Sequence, residues 1–244
     1  MQEEEKLPDG QHYARVQQTP NGQTCVVIVD AFMRRVHRMV PQSGDTLLMD
    51  ATSNVDRSDS KIFNLLCPAP LGGLPLATLV TTREDEETVT FALGMLQNIL
   101  PSDAFYGKGP AVGPSVGLTD DSDIIRNSLR KIWPQMVLLL CHFHILQAHW
   151  TWLFSGTNKI DKHDKPVLLC MFRELVYSEK EDDFQTALTE MVTSEVYRKY
   201  PNYIEYFIKY VLPKKDEWAL LYRINEQLPT NNVNVTNLVE VSFR

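Results

Sequence analysis

The chain has 244 residues, 43% of them apolar, and a formal charge of −7, enough to bury a full core in one large domain or in a domain with a substantial insertion. Its acidic start, Met1-Gln2-Glu3-Glu4-Glu5-Lys6, lacks the basic and apolar stretches of a signal peptide, and no apolar run nears the roughly eighteen residues that span a bilayer; a soluble intracellular protein with no membrane partner is expected. Four scattered cysteines, Cys25, Cys67, Cys141 and Cys170, include no Cys-x-x-Cys pair and argue against a disulfide framework, and the acidic balance argues against a stand-alone DNA binder, because phosphate contacts supply most sequence-independent affinity.

In chain order, residues 1–40 read as a lead-in segment. Its basic stretch Arg34-Arg35-Val36-His37-Arg38 is a solvated helix face or a local nucleic-acid contact. Thr46-Leu47-Leu48-Met49-Asp50-Ala51 is a short apolar run that predicts a buried strand, followed by a polar turn over 53–60. Two more strands are predicted over 61–67 and 75–82, separated by a loop at Pro68-Ala69-Pro70-Leu71-Gly72-Gly73. Val89, Ala92, Leu93, Leu96, Ile99 and Leu100 recur at helical spacing; Thr82 with Asp85 resembles a capping box, and Pro101 ends the helix. A fourth strand over 112–118, a second helix over 121–132 ended by Pro134, and a very apolar fifth strand over 136–141 complete the series.

The order β-β-β-α-β-α-β requires a right-handed crossover that returns the chain parallel to the first strand. It predicts an α/β fold with an RNase H-like five-stranded mixed sheet, in which the first and fourth strands lie side by side. Ligands in open α/β sheets bind outside the carboxyl ends of strands at such a switch point, where Asp50 and Asp120 fall.

All eleven glycines lie at or before Gly156, and the remainder is rich in helix formers. Helical spacing over 142–154, 165–178, 180–199, 202–211 and 215–227 predicts an all-helical insertion. The tail from Leu228 to Glu240 reads as extended and then helix-initiating, with Thr236 or Asn237 as N-cap. The chain stops at Arg244, one turn into that helix, which predicts a fragment or truncated product. The expected organisation is a lead-in over 1–40, a catalytic core over 41–155, a helical insertion over 156–228 and a return to the core over 229–244.

Phosphodiester cleavage at neutral pH needs an activated nucleophile and neutralised charge on the leaving oxygen, which two hard cations held by carboxylates supply. Asp50 is a carboxylate inside an apolar run, where an unpaired charge is costly; its alternative is a strand-end residue bonding a turn or Arg57. Asp120, in Gly117-Leu118-Thr119-Asp120-Asp121-Ser122-Asp123, stands where a strand hands over to a helix, and its alternative is an N-cap. Asp121 can cap while Asp120 faces a metal. Glu240 on its own is an ordinary helix glutamate. Cys141-His142-Phe143-His144 has zinc-ligand spacing but needs two further ligands, for which His149, His163 and Cys170 are candidates; a buried cysteine with a hydrogen-bonded histidine is the simpler account, and no structural zinc is expected.

Taken together, the motifs resemble the transposases of Mutator-like elements from about Thr24 onward. Met49-Asp50-Ala51-Thr52 resembles the family's first-aspartate motif, and Thr119-Asp120 with Trp133-Pro134 its second. Leu140-Cys141-His142-Phe143-His144-Ile145-Leu146-Gln147 resembles its Cys-x-x-His signature, with Phe143 where tryptophan is frequent, and Thr236-Asn237-Leu238-Val239-Glu240 its third-acid motif. The resemblance implies a DDE-type DNA transposase that uses Mg2+ or Mn2+ held by Asp50, Asp120 and Glu240, with Cys141 and His144 near the site. It further implies transposon-end and target DNA as partners, a homo-oligomer on DNA, and a nuclear location in a eukaryote. The family's flanking zinc modules do not occur in this sequence. A decayed or host-adopted derivative, binding DNA or protein without catalysis, is the alternative; a nuclease of RNA–DNA hybrids would not need so long an insertion.

Overall fold

The computed structural model describes residues 13–52, 60–70 and 72–230. They form an α/β structure with one seven-stranded mixed sheet, in the order β1-β2-β5-β4-β3-β6-β7. The chain divides into two compact units. The described residues up to Leu139, with Pro229 and Thr230, form one; Leu140–Leu228 forms the other.

The first unit opens with two strands in the segment expected to be a lead-in, so the sheet has seven strands where five were expected. β1 (Ala14–Gln18) and β2 (Thr24–Ile28) form a hairpin, and β2 continues onto β5 in antiparallel pairing, Cys25 opposite Thr81 and Ile28 opposite Thr78. Along β2, Cys25 and Val27 are fully buried while their neighbours are only partly covered. α1 (Ala31–Met39) follows, capped by Asp30, whose carboxylate accepts from Met33 N at 2.7 Å. The short α2 (Gln42–Asp45) then delivers the chain into β3 (Thr46–Thr52).

β3 pairs antiparallel with β4 (Lys61–Ala69), and β4 with β5 (Gly72–Thr81). The Pro/Gly-rich stretch expected as a loop is mostly strand: Pro68 pairs with Gly73 and Ala69 with Gly72. Pro68 lies beyond Leu66, the last β4 residue in register with β3, and Pro75 lies outside the β2 pairing. Each proline therefore has a ladder on one side only, where a missing N–H is tolerated. Between Leu65 and Leu66 the register shifts, so that Leu76 is the extra residue of a bulge beside Pro75.

α3 (Glu86–Ile99) crosses over, capped by Asp85 and ended before Pro101. Asp85 accepts from Thr88 N at 2.9 Å, while Thr82 of the expected capping box is used by the hairpin, its hydroxyl oxygen accepting from Thr24 N at 3.0 Å. β6 (Val116–Thr119) lies parallel to β3, followed by α4 (Asp123–Ile132) and then β7 (Val137–Leu140), the neighbour of β6. α1, α3 and α4 contribute Val36, Leu93 and Leu129 to one buried core with Leu47, Met49, Phe63 and Leu65 of the sheet. Alternation along β3 turns Thr46, Leu48 and Asp50 to the opposite face.

The second unit is helical. α5 (His142–Phe154), α6 (Asp164–Tyr177), α7 (Glu181–Thr193), α8 (Glu195–Arg198) and α9 (Pro201–Tyr206) are followed by a π-helical turn at Phe207–Val211, a 3-10 turn at Leu212–Lys214, α10 (Lys215–Trp218) and α11 (Leu220–Asn225). A core of Leu153, Phe172, Phe184, Tyr203, Phe207 and Trp218 holds them. No helix among the described residues is long and apolar enough to cross a membrane.

Candidate active site

The parallel pairing of β3 with β6 places Thr46 opposite Val116, Leu47 opposite Gly117 and Leu48 opposite Leu118. Two residues beyond that last pair, at the carboxyl ends of both strands, stand Asp50 and Asp120. Alternation along β3 puts Asp50 on the face of Leu48, and Asp120 follows Leu118 by two residues, just past the end of a strand about 4.8 Å away. The expected first and fourth strands, β3 and β6, are thus parallel neighbours.

Asp50 is 8% exposed although it lies at the end of an apolar strand. One of its oxygens accepts from the next backbone amide, Ala51 N, at 2.8 Å. Directly opposite it on β4 is Asn64, and opposite Asn64 on β5 is Thr78, whose hydroxyl donates to Asn64 Oδ1 at 3.0 Å. A polar row, Thr78, Asn64, Asp50, thus crosses the sheet toward Asp120 on the face away from the first core. Asn64 and Thr78 were not picked out from the sequence. Asn64 was visible as the one polar residue in Ile62-Phe63-Asn64-Leu65-Leu66, but its place beside Asp50 exists only once the register is known.

Asp120 is half-buried and just past the end of β6. Its Oδ1 accepts from Ser122 N at 3.1 Å. Helix α4 is capped by Ser122, whose Oγ accepts from Ile125 N at 3.4 Å, and not by Asp121 as expected. The capping task is still taken off Asp120: a serine two residues on does it, since Asp, Asn and Ser suit an N-cap about equally.

The Thr46 hydroxyl donates to the carbonyl of Pro229. The chain returning from the helical unit therefore crosses the base of β3 on the face that carries Asp50, four residues from it. Glu240, with Thr236 and Asn237, lies outside the described residues.

Among the described residues no three His, Cys, Asp or Glu side chains gather closely enough to hold a metal ion together; Asp50 and Asp120 are two oxygen donors. Cys141 is fully buried and starts α5, and His144 follows one turn later, half-buried. The other zinc-ligand candidates are separately employed or placed. His149 Nε2 bonds the Tyr203 hydroxyl at 2.8 Å and its ring stacks on Phe172 at 4.1 Å. Cys170 is exposed. The basic stretch of α1 is divided: Arg34 and His37 are buried, whereas Arg35 and Arg38 are exposed, Arg38 pairing with Asp103 at 3.0 Å.

No protein-family model matches the chain, and no curated protein matches it in sequence.

Proposed function

We propose that this chain is the core of a DDE-type DNA transposase of the Mutator-like kind, built on an RNase H-like sheet, with Asp50, Asp120 and Glu240 holding Mg2+ or Mn2+. The observation that carries the reading is that Asp50 and Asp120 each stand two residues past Leu48 and Leu118, the last register pair of two parallel neighbouring strands. Two supports stand beside it. The strand order β5-β4-β3-β6-β7, with β4 antiparallel to β5 and β3 and with β3 parallel to β6, is compatible with the RNase H-like reading. The four sequence motifs occur in the family's order along the same chain.

The donor set suits a hard divalent cation: oxygen ligands on a rigid frame, with no sulfur or imidazole between them. Such a cation, when bound, supplies charge neutralisation at phosphorus and at the leaving oxygen. The chain's own part is to present two carboxylates from a stiff sheet. Asp50 accepts from Ala51 N and Asp120 from Ser122 N, bonds that hold each carboxylate to its own backbone. From Thr230 to Glu240 is ten residues, a reach of up to about 33 Å. Four strand residues separate Thr46 from Asp50, about 13 Å, so the third acid can reach the pair from the point where the returning chain crosses β3.

Calorimetric titration of the purified chain with Mn2+, beside Asp50→Asn and Asp120→Asn, followed by nicking of labelled duplex DNA, tests the proposal. Binding and nicking by the parent, with both lost in each variant, is the expected outcome. A parent that binds Mn2+ no differently from its variants would leave a domain that acts by binding DNA or protein without catalysis.

A further inference from the structure

α4 carries a cation on the face it turns to the core. Arg126 adjoins Ile125 and precedes Leu129 by three residues, both of them buried, and is itself only 2% exposed. Burying a guanidinium is costly unless its hydrogen bonds accomplish something the fold needs. Its Nη1 donates to Thr119 Oγ1 at 3.3 Å and to the Leu139 carbonyl at 3.4 Å, joining the ends of β6 and β7. The Thr119 hydroxyl in turn donates to the Asp120 carbonyl at 2.7 Å. Asp120 Oδ1 receives Ser122 N, and Ser122 caps the helix that carries Arg126. The bonds close a ring from α4 through Thr119 and Asp120 back to α4.

The chemistry of the donors gives this ring a direction. A hydroxyl has one hydrogen and two lone pairs. Arginine is always protonated and only donates, so with Arg126 on one side the Thr119 hydroxyl must accept there and spend its hydrogen on the Asp120 carbonyl. That contact fixes the peptide plane after Asp120, while Ser122 N fixes one carboxylate oxygen. We propose that Arg126 is a positioning residue for the Asp120 carboxylate, acting through the Thr119 hydroxyl. This rests on Asp120 being a metal ligand, as argued above; neither Arg126 nor Thr119 touches metal or DNA. Groups of this kind, one bond removed from a ligand, set its orientation and hence the affinity of the site.

Thr119→Val removes one hydroxyl at constant shape, Thr119→Ser keeps it, and Arg126→Met removes the guanidinium. Two readouts separate positioning from mere stability: amide hydrogen exchange along 119–123 and Mn2+ titration. The expected result is faster exchange at Ser122 in Thr119→Val and Arg126→Met, with β4 and α3 amides unchanged. Mn2+ affinity should fall about 10- to 100-fold in both, and Thr119→Ser should behave as the parent. Should Arg126→Met fail to fold, Thr119→Val carries the test alone. Parent-like exchange and parent-like Mn2+ affinity in Thr119→Val overturn the proposal. If Ser122 exchange responds but the parent itself binds no Mn2+, the metal role of Asp120 falls, and with it the positioning role. If the parent binds Mn2+ and Thr119→Val binds it equally well, only the positioning role falls.

Discussion

His37 is fully buried where α1, the bulged residue Leu76 and the loop at Phe105 meet. Its Nε2 lies 3.2 Å from the Leu76 carbonyl, and its Nδ1 is 3.4 Å from Phe105 N. The Leu76 carbonyl only accepts and Phe105 N–H only donates, so the two contacts together select the neutral Nε2–H tautomer. Burial is the main reason its pKa is pushed down to about 4; the Arg34 charge adds to the shift, and the Leu76 bond opposes it. Because the folded value lies below the ordinary 6.5 of an unfolded histidine, the folded state binds fewer protons between the two. Its contribution is complete above about pH 6.5 and is lost as pH falls through about 4, on the order of 3 kcal/mol in all. His142 and His149, both pushed down to about 3 chiefly by burial, act with the same sign in the second unit. Urea midpoints should therefore drop between pH 7.5 and pH 5, and His37→Gln should flatten that slope. Equal midpoints in the parent at the two pH values would mean that these histidines are not held neutral.

At the scale of the element, Asp85 and Thr82 divide a task that the sequence assigned to both. Asp85→Ala should cost about 1 kcal/mol through the lost cap, while Thr82→Ala should leave α3 intact and loosen the turn between β1 and β2, where Thr82 meets Gln23 and Thr24. Urea denaturation of each variant, with hydrogen exchange over 19–24 and 86–90, separates the two effects. The same division runs through what could be read in advance. α3 and the helices after His142 were legible because their apolar residues recur at helical spacing, and β3 because it is a short continuous apolar run. β1 was not, since an edge strand with four of its five residues exposed has no apolar alternation to read. The β4–β5 hairpin was shortened because Pro68, Gly72 and Gly73 read as a loop, although a proline with a ladder on one side only can remain in a strand. Asp50 and Asp120 were legible as carboxylates at strand ends. Asn64, Thr78, Thr119 and Arg126 were not, because their roles arise from cross-strand register and from a buried bond between elements distant in sequence.

At the scale of the whole molecule, the described residues hold two separate apolar cores, one on the sheet and one among the helices, and the boundary is crossed by the chain at Leu139–Leu140 and at Leu228–Pro229. Units with their own cores can open at their own free energies, and the cysteines report each core independently. Cys25 and Cys67 are fully buried in the first, with thiol pKa values pushed up to about 11 and about 12, mainly by burial. Cys141 is fully buried at the start of the second unit, whereas Cys170 on α6 is exposed. Because the thiolate is the reactive form, the native protein should give one fast-reacting thiol, Cys170, and three protected ones. Pulsed thiol labelling across a urea series, read by mass spectrometry of the separated peptides, should then show Cys25 and Cys67 becoming reactive at one denaturant concentration and Cys141 at another. Among the described residues, His142 and His149 both carry strongly lowered pKa values in the helical unit and His37 does so in the sheet unit, so lowering the pH from 7.5 to 5 should bring the Cys141 transition down further than that of Cys25 and Cys67. Coincident exposure of all three thiols at both pH values would instead make the chain a single cooperative unit despite its divided core.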